Sequence, residues 1–303
     1  MLKQFQFRWS VSSLDNNYED RGELGRYNPN NKLNELTGKQ WIKFTKSWFK
    51  HKPPPRGKDK ILHPASFPES LIKEFIEFFT KSKQVVLDPF LGTGSTILAC
   101  QETGRSGVGI ELLEKYAQIS RERISQARWD PSSSEISKEL FYKVITGDSR
   151  NLSKLIKNTE LPKKEFDFCI TSPPYWDQLK RATLRQKERK EKNWDTHYSD
   201  NPNDIGNISD YENFLLEQKK IFDEVYKVMK NKGYLVVITN NVFAEGRMYP
   251  LAFDTVKSLS DNWVPKDEKI WLQDDKSLIP LGVNSAWVGN RHHQYCLIFR
   301  KEG

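Results

Sequence analysis

Residues 85–96 read Val-Val-Leu-Asp-Pro-Phe-Leu-Gly-Thr-Gly-Ser-Thr, and this stretch decides the fold. Its apolar start predicts a buried strand. Gly92 and Gly94 then allow a tight turn in which the backbone can approach a ligand closely. Ser95 and Thr96 are residue types that cap helices, so we expect a helix to begin there. A strand, a glycine turn and a helix in this order suit a nucleotide-type ligand.

Acidic residues end three successive strands of the predicted sheet. Asp88 follows the apolar run just quoted, Glu111 ends the segment Gly-Val-Gly-Ile-Glu, and Asp148 follows the next strand. A carboxylate at a strand end can accept hydrogen bonds from ribose hydroxyls, and Asp88 suits an ammonium better than a pyrophosphate. Together the three acids indicate a site for a ribose-bearing, cationic cofactor. Each acid alone has an equally good reading as a helix cap or a turn residue.

Apolar runs alternate with amphipathic stretches from Ile61 onward. The pattern predicts strands at 84–87, 107–110, 141–145, 166–171 and 234–239, with further apolar runs at 269–272 and 295–299. It predicts helices that begin near residue 68 and span 96–102, 113–124, 152–156, 211–229 and 251–259. Such alternation is typical of βαβ units. The expected fold class is therefore α/β, a mostly parallel twisted sheet with helices on both faces.

A second motif, Thr-Ser-Pro-Pro-Tyr at 171–175, follows the apolar run 166–170 and so falls at a strand end, where open α/β sheets carry their chemistry. Pro173 and Pro174 fix φ and remove two backbone donors, which leaves a stiff turn whose carbonyls can accept. Tyr175 adds a flat aromatic face. Rigid acceptors beside a stacking ring suit a planar base with an exocyclic amino group. The alternative is an ordinary proline turn after a strand.

The positive charge of the chain is concentrated in two segments. The chain has 303 residues, a formal net charge of +8 and an isoelectric point of about 9.1. The N-terminal basic segment (43–60) and the central basic segment (180–192) each carry seven lysines and arginines, against one and two acids. They predict a polyanion partner, although a charge run is also typical of a solvated face. The DNA-binding candidates are Lys43, Lys46, Lys50, Arg56, Lys180, Arg181, Arg185 and Lys187. The loop 193–209 is the candidate for reading base sequence.

Cysteine and histidine usage favours neither disulfides nor a metal site. Cys100, Cys169 and Cys296 lie in apolar patterns without CxxC spacing and are expected to be buried thiols of a reducing compartment. His292 and His293 are adjacent, and neighbouring side chains on a strand point to opposite faces. The first residues contain no long apolar run and no stretch approaches 18 apolar residues, so we expect neither secretion nor a membrane span.

The N-terminal part of the chain has a different pattern. Residues 1–33 are polar and aperiodic, and we expect them to become ordered only on a partner. Thr37 and Gln40 have capping-box spacing, and the aromatic residues that follow, up to Trp48, predict a helix carrying two tryptophans onto the body. We expect a basic and aromatic extension over 1–60 with a stiff proline linker. A catalytic domain would then span 61–303, with a polar insertion at 176–209.

These motifs resemble those of a known family, the S-adenosylmethionine-dependent DNA amino-methyltransferases that act on cytosine N4 or adenine N6. The resemblance extends from about His63 to Arg300 and rests on the segments 63–68, 88–96, 107–111, 147–150, 171–175 and 233–241. It implies a Rossmann-like methyltransferase fold and S-adenosylmethionine as the cofactor. Many members are permuted relative to this chain, so the position of their target-recognition segment is not transferred.

The resemblance also implies roles for individual residues. The cofactor-binding residues would be His63, Phe67, Asp88, Pro89, Phe90, Gly92, Gly94, Thr96, Glu111 and Asp148. Among them, Glu111 would accept from the ribose hydroxyls and Asp148 from the adenine amino group. The catalytic residues would be Ser172, Pro173, Pro174 and Tyr175. Ser172 and the Pro173 carbonyl would accept from the target amino group, and Tyr175 would stack on the flipped base.

The same resemblance favours cytosine N4 as the target atom, because members with Ser before the two prolines mostly methylate cytosine and those with Asp or Asn mostly adenine. The partners implied are double-stranded DNA and a cognate restriction endonuclease, in the cytoplasm with the nucleoid. Three alternatives stay open: a Rossmann oxidoreductase, an RNA amino-methyltransferase and a catalytically silent DNA-binding subunit. Ile97, where the nicotinamide fingerprint requires a third glycine, disfavours the first.

Overall fold

A computed structural model describes residues 18–52, 68–127, 139–177 and 199–303. The strands are β1 (Glu19–Asp20), β2 (Arg26–Tyr27), β3 (Trp48–Lys50), β4 (Val85–Asp88), β5 (Ser106–Glu111), β6 (Tyr142–Thr146), β7 (Phe166–Thr171), β8 (Met229–Thr239), β9 (Val242–Ala244), β10 (Arg247–Tyr249), β11 (Trp263–Leu272) and β12 (His293–Lys301). The helices are α1 (Gly38–Phe44), α2 (Glu69–Phe79), α3 (Ser95–Thr103), α4 (Glu114–Gln126), α5 (Leu152–Asn158), α6 (Tyr211–Val228) and α7 (Leu251–Leu259).

Within the described residues, eight strands form one sheet, in the order β3-β11-β12-β8-β7-β4-β5-β6. The run from β8 to β6 is parallel throughout, and β12 is antiparallel to both of its neighbours. The strand β3 lies at the edge and runs parallel to β11. This topology confirms the predicted α/β class and the Rossmann-like fold. The carboxyl ends of β4, β5, β7 and β8 therefore share one edge, called here the carboxyl edge.

Helices cover both faces of the sheet, and alternate residues of the central strands contact different layers. In β4, Val85 and Leu87 pack in the cluster that contains residues of α5, α6 and α7. Val86, between them, packs with α2 and α3 on the opposite face. The central strands are apolar on both faces because each face is covered by helices.

Residues 18–52 belong to this body and correct two expectations. Of residues 1–33, expected to become ordered only on a partner, 1–17 lie outside the described residues. Residues 18–33 include the small β1–β2 hairpin, and Tyr27 is buried. The capping box at Thr37 is confirmed, but α1 ends at Phe44, and Trp48 lies in β3, half exposed, instead of in the helix. Pairing with the open edge of β11 decides this, since Ile270 N–H donates to the Ser47 carbonyl over 2.8 Å. The proposed boundary at residue 60 and the proline linker lie outside the described residues.

The strands near the end of the chain are longer than their apolar runs. The strand β8 begins at Met229 and β11 at Trp263, well before the predicted 234 and 269. The early parts of both contain exposed polar residues and therefore lack an apolar pattern. The early part of β11 pairs with β12 from Trp263 onward, whereas that of β8 pairs with β7 only at Met229 before the register shifts. The three cysteines are buried free thiols, as predicted. Within the described ranges, no helix has the length and apolar character of a membrane span.

Candidate functional site

The carboxyl edge brings together the acids and the proline motif that the sequence singled out. Asp88 ends β4 and is paired with Gly109 of β5, two residues before Glu111. Thr171 ends β7, the other neighbour of β4. The glycine turn, two acids and the Thr171–Tyr175 motif therefore lie side by side on three adjacent strands.

Asp88 joins these parts. One carboxylate oxygen accepts from the Phe90 N–H (3.0 Å) and the Thr171 hydroxyl (2.6 Å), and the other accepts from the Thr96 hydroxyl (2.5 Å). The side chain is only 1% exposed, and this burial raises the pKa of Asp88 to about 6. Three donors thus hold the carboxylate, which fixes the glycine turn, the start of α3 and the end of β7 relative to each other. This arrangement gives Asp88 a positioning role that its place at a strand end did not reveal.

The glycine turn depends on close approach to α4. Gly92 and Gly94 have φ of 56° and 90°, in the left-handed region that favours glycine. A Cβ on Gly94 would lie 2.8 Å from Ser120 Oγ, which in turn donates to the Gly92 carbonyl over 2.9 Å. The prediction that Ser95 caps α3 is wrong, because the N-cap is Gly94 and Ser95 Oγ donates to Glu69 instead.

Thr96 does not cap α3 either, since its hydroxyl donates to Asp88. Arg123 of α4 supports the turn from outside through an ion pair with Glu69 (2.7 Å) and a hydrogen bond to the Thr93 carbonyl. Neither Glu69 nor Arg123 was predicted, and neither belongs to a motif that indicates this contact.

Glu111 faces the turn from the end of β5. Its two oxygens accept from the backbone N–H groups of Gly92 (2.8 Å) and Leu113 (3.0 Å). Burial raises the pKa of Glu111 to about 7. Each carboxylate oxygen has a second lone pair, so the two backbone bonds orient the group and leave acceptor capacity for a hydroxyl.

Asp148, the third strand-end acid, has a partner of its own. Arg150 binds both of its oxygens, with Nη2 to Oδ2 at 2.6 Å, and also pairs with Glu217 of α6 at 2.8 Å. The Asp148 side chain is 20% exposed. The neighbouring Ser149, which was not predicted, donates to the Pro89 carbonyl over 2.6 Å and so ties the end of β6 to the segment that leads into the glycine turn.

The motif at 171–175 ends in a hydrogen-bonded pair of side chains. Ser172 Oγ lies 3.1 Å from the Tyr175 hydroxyl, which donates to Gln294 Oε1 of β12 over 2.8 Å. Trp176 follows with φ of 53°, and its buried indole packs on Tyr211 and Tyr249. This left-handed residue redirects the chain after the motif. Gln294 is a further site residue that the sequence did not indicate.

The described cationic candidates share one groove. Lys43, Lys46 and Lys50 line a groove of about 330 Å³ together with Phe44, Phe49, Trp48 and Lys269. Lys46 Nζ lies 3.3 Å from the centre of the Trp48 ring, and Lys50 pairs with Asp274. The other candidates, His63, Phe67, Arg56, Lys180, Arg181, Arg185 and Lys187, lie outside the described residues. Among the described residues no group of three or more metal-ligating side chains occurs.

The turn and its acids fit a ribose-bearing cation such as S-adenosylmethionine. Two buried carboxylates with raised pKa values, Asp88 and Glu111, lie beside a backbone turn that only glycine allows. A cation placed next to them would compensate part of their desolvation. The Thr93 hydroxyl in the same turn is buried and has no hydrogen-bond partner in the part of the chain that the structure describes, so it offers a polar atom to a ligand.

Several type II methyltransferases are similar to this chain in sequence. M.HinfI of Haemophilus influenzae is 36% identical over 126 residues, which are 41% of this chain and 31% of that protein. M.ScaI of Streptomyces caespitosus is 42% identical over 66 residues, 22% of each chain. In these matches the chain spans less than a third of the relatives' length.

Two solved structures are also similar. TrmN from Thermus thermophilus has a TM-score of 0.45 at 13% identity, over 77% of this chain and 48% of that one. A putative DNA modification methylase from the same species has a TM-score of 0.33 at 22% identity, over 52% of each chain.

A family profile described as DNA methylase, for N6 and N4 methyltransferases, matches residues 7–122 and 166–303. The matched ranges cover well over half of the chain and include both the glycine turn and the motif at 171–175. The chain therefore belongs to this DNA methylase family, and its cofactor is S-adenosylmethionine.

Proposed function

We propose that this protein methylates DNA on the exocyclic amino group of a base, with cytosine N4 as the favoured target and adenine N6 as the alternative. The observation that carries the proposal is the 2.6 Å hydrogen bond from Thr171 to Asp88. Through it, the end of the strand that presents Ser172 is fixed to the cofactor turn. Base and cofactor would thus bind on two sides of one rigid strand end.

The chemistry asked of the residues is orientation. The lone pair of an aromatic amine is delocalised into the ring, so the amine is a poor nucleophile. Ser172 Oγ and the Pro173 carbonyl would accept from its two N–H bonds and favour a pyramidal nitrogen with a directed lone pair. When bound, S-adenosylmethionine supplies a methyl group whose bonding electron pair leaves with sulfur. The methylated nitrogen then releases one proton to water.

The cofactor would be held by the side of the edge that contains the glycine turn. Glu111 would accept from ribose hydroxyls, because its carboxylate is oriented by two backbone N–H groups and keeps lone pairs free. Asp88 would lie beneath the turn and attract the positive charge of the cofactor. For Asp148, a bond to the adenine amino group must be shared with Arg150, so its contribution is expected to be the weaker one.

The substrate base must leave the duplex to reach this edge, at a cost of about a few kcal/mol. Tyr175 would offset part of that cost by stacking on the base. The two basic segments would bind the phosphates around it. A DNA substrate implies location with the chromosome, in the cytoplasm of a prokaryote, and the type II methyltransferases among the relatives support a cognate restriction endonuclease as a partner.

Mass spectrometry of digested DNA tests this function. The protein is incubated with methyl-labelled S-adenosylmethionine and DNA of mixed sequence, and the nucleosides are separated. We expect labelled N4-methylcytosine with the wild type, and none with Tyr175→Ala, which removes the stacking face. Tyr18→Ala, which removes an exposed ring, is the matched control and should retain activity. Label only in N6-methyladenine would change the target base, and no labelled base in DNA or RNA would overturn the proposal.

A further inference from the structure

Gln294 lies beside the proposed catalytic motif although it is 119 residues away in sequence from Tyr175. It is the second residue of β12, and the next residue, Tyr295, pairs with Thr239 at the end of β8. Because β8 is the parallel neighbour of β7, the fold brings the start of β12 to the carboxyl edge. Gln294 Oε1 there accepts from the Tyr175 hydroxyl over 2.8 Å.

This contact decides the direction of the next hydrogen bond. A phenol has a single proton, and in Tyr175 it is directed to Gln294. Across the 3.1 Å separation from Ser172, Tyr175 can therefore only accept, so the Ser172 hydroxyl must donate. The Ser172 proton then points away from the incoming base, and the oxygen lone pairs remain to accept from an amino group.

Without an acceptor at position 294, the direction of the hydrogen bond between Ser172 and Tyr175 can reverse. The Tyr175 proton would turn towards Ser172 and occupy one of its lone pairs, and the Ser172 proton would be free to point at the base. A Ser172 hydroxyl proton that points at the amino group would repel the amino N–H bonds, because both groups would then present hydrogen-bond donors to each other. Burial raises the pKa of Tyr175 well above its ordinary value, so the phenol stays protonated. Tyr175 therefore affects Ser172 through the direction of a hydrogen bond and not through a negative charge.

We propose that Gln294 is a positioning residue for methyl transfer, which keeps the Ser172 hydroxyl an acceptor by holding the proton of Tyr175. The inference rests on the proposed function. It gives a residue of β12, outside the motif at 171–175, a part in the reaction.

A double-mutant cycle tests the inference through single-turnover methyl transfer to a mixed-sequence DNA pool. We expect Gln294→Ala to slow transfer roughly tenfold, the scale of one misdirected hydrogen bond. The affinity for S-adenosylmethionine, measured by calorimetry, should not change, because Gln294 acts through Tyr175 and not through the glycine turn. In a Tyr175→Phe background, which has no phenol proton to direct, Gln294→Ala should add no further loss.

Two further variants separate positioning from structure. Gln294→Glu keeps acceptor oxygens and should recover most of the rate at about pH 8, where an ordinary glutamate is ionised. Gln273→Ala, which removes a buried glutamine immediately after β11, is the matched control and should have the wild-type rate. An unchanged rate in Gln294→Ala, or an equal loss with and without Tyr175→Phe, would overturn the inference. If the wild type itself transfers no methyl group, the proposed function fails and the inference fails with it.

Discussion

At the scale of single residues, Asp88 has a larger structural role than its strand-end position indicated. The sequence suggests that Asp88→Ala weakens cofactor binding and leaves the fold intact. The structure shows three donors directed at a buried carboxylate. We therefore expect Asp88→Ala to lower the free energy of unfolding by about 2–4 kcal/mol, because a donor left without a partner costs about 1–3 kcal/mol. Denaturant unfolding measures this. The exposed Asp275→Ala is the control, and equal stabilities for both variants would contradict the expectation.

Glu111 makes a pH-dependent contribution that can be measured. Its pKa of about 7, raised from 4.5 by burial, means that the folded protein retains a proton that the unfolded chain releases. The resulting stabilisation is complete below pH 4.5 and is lost as pH rises through about 7. A cationic cofactor instead favours the ionised carboxylate. Affinity for S-adenosylmethionine should therefore rise between about pH 5.5 and about pH 8, by at most about tenfold per pH unit per group, with release of protons.

Calorimetry in two buffers of different ionisation enthalpy counts these protons. Glu111→Gln cannot ionise at this position, so it should show a smaller rise with pH and release fewer protons than the wild type. Asp88, with a pKa of about 6, is expected to account for the part that remains. A wild-type affinity that is flat over this pH range would mean that the cofactor does not interact with either carboxylate.

At the scale of elements, the glycine turn before α3 can be tested against another turn of the same backbone type. Gly94 (φ 90°) and Gly246 (φ 75°) both lie in the left-handed region, so alanine costs about 1–2 kcal/mol at each. Only at Gly94 would the new Cβ also contact Ser120, at 2.8 Å, whereas Gly246 has open space. We expect Gly94→Ala to weaken cofactor binding by about tenfold or more in calorimetry and Gly246→Ala to leave it unchanged. Equal affinities would place the cofactor away from this turn.

The sequence predicted those elements whose patterns are set by burial. The strands β4, β5 and β7 are covered on both faces, so their apolar runs mark them clearly. The strand β3 and the first half of β11 exist because a neighbouring backbone offers hydrogen bonds, and pairing of this kind leaves no apolar pattern. For the site, the motifs identified the strand ends. The contacts of Arg150 with Glu217 and of Gln294 with Tyr175 depend on which elements become neighbours, which local patterns do not encode.

At the scale of the whole molecule, the two basic segments raise the question of which one binds the phosphates. The described part of the N-terminal basic segment already uses two of its cations within the protein. Lys50 pairs with Asp274, and Lys46 lies over the Trp48 ring. The ion pair offsets the charge of Lys50, whereas Lys46 keeps its full charge beside a neutral ring. The central basic segment carries seven cations against two acids over 13 residues and begins five residues after Tyr175 in the sequence, so we expect it to dominate DNA binding.

Salt dependence of DNA affinity distinguishes the two segments. Each phosphate contact that is lost should lower the slope of log affinity against log salt by about 0.9. Replacing Lys180, Arg181, Arg185 and Lys187 together by alanine should therefore flatten the slope by up to about 3.6. Replacing Lys43, Lys46 and Lys50 should change it less, because fewer cations are removed and Lys50 is already paired with Asp274. Lys163→Ala combined with Lys164→Ala is the control, since both precede β7 at the edge of the sheet opposite the site. A wild-type slope in the four-residue variant would show that the central basic segment is a solvated face. A larger change of slope in the three-residue variant than in the four-residue variant would assign the phosphate contacts to the groove beside β3.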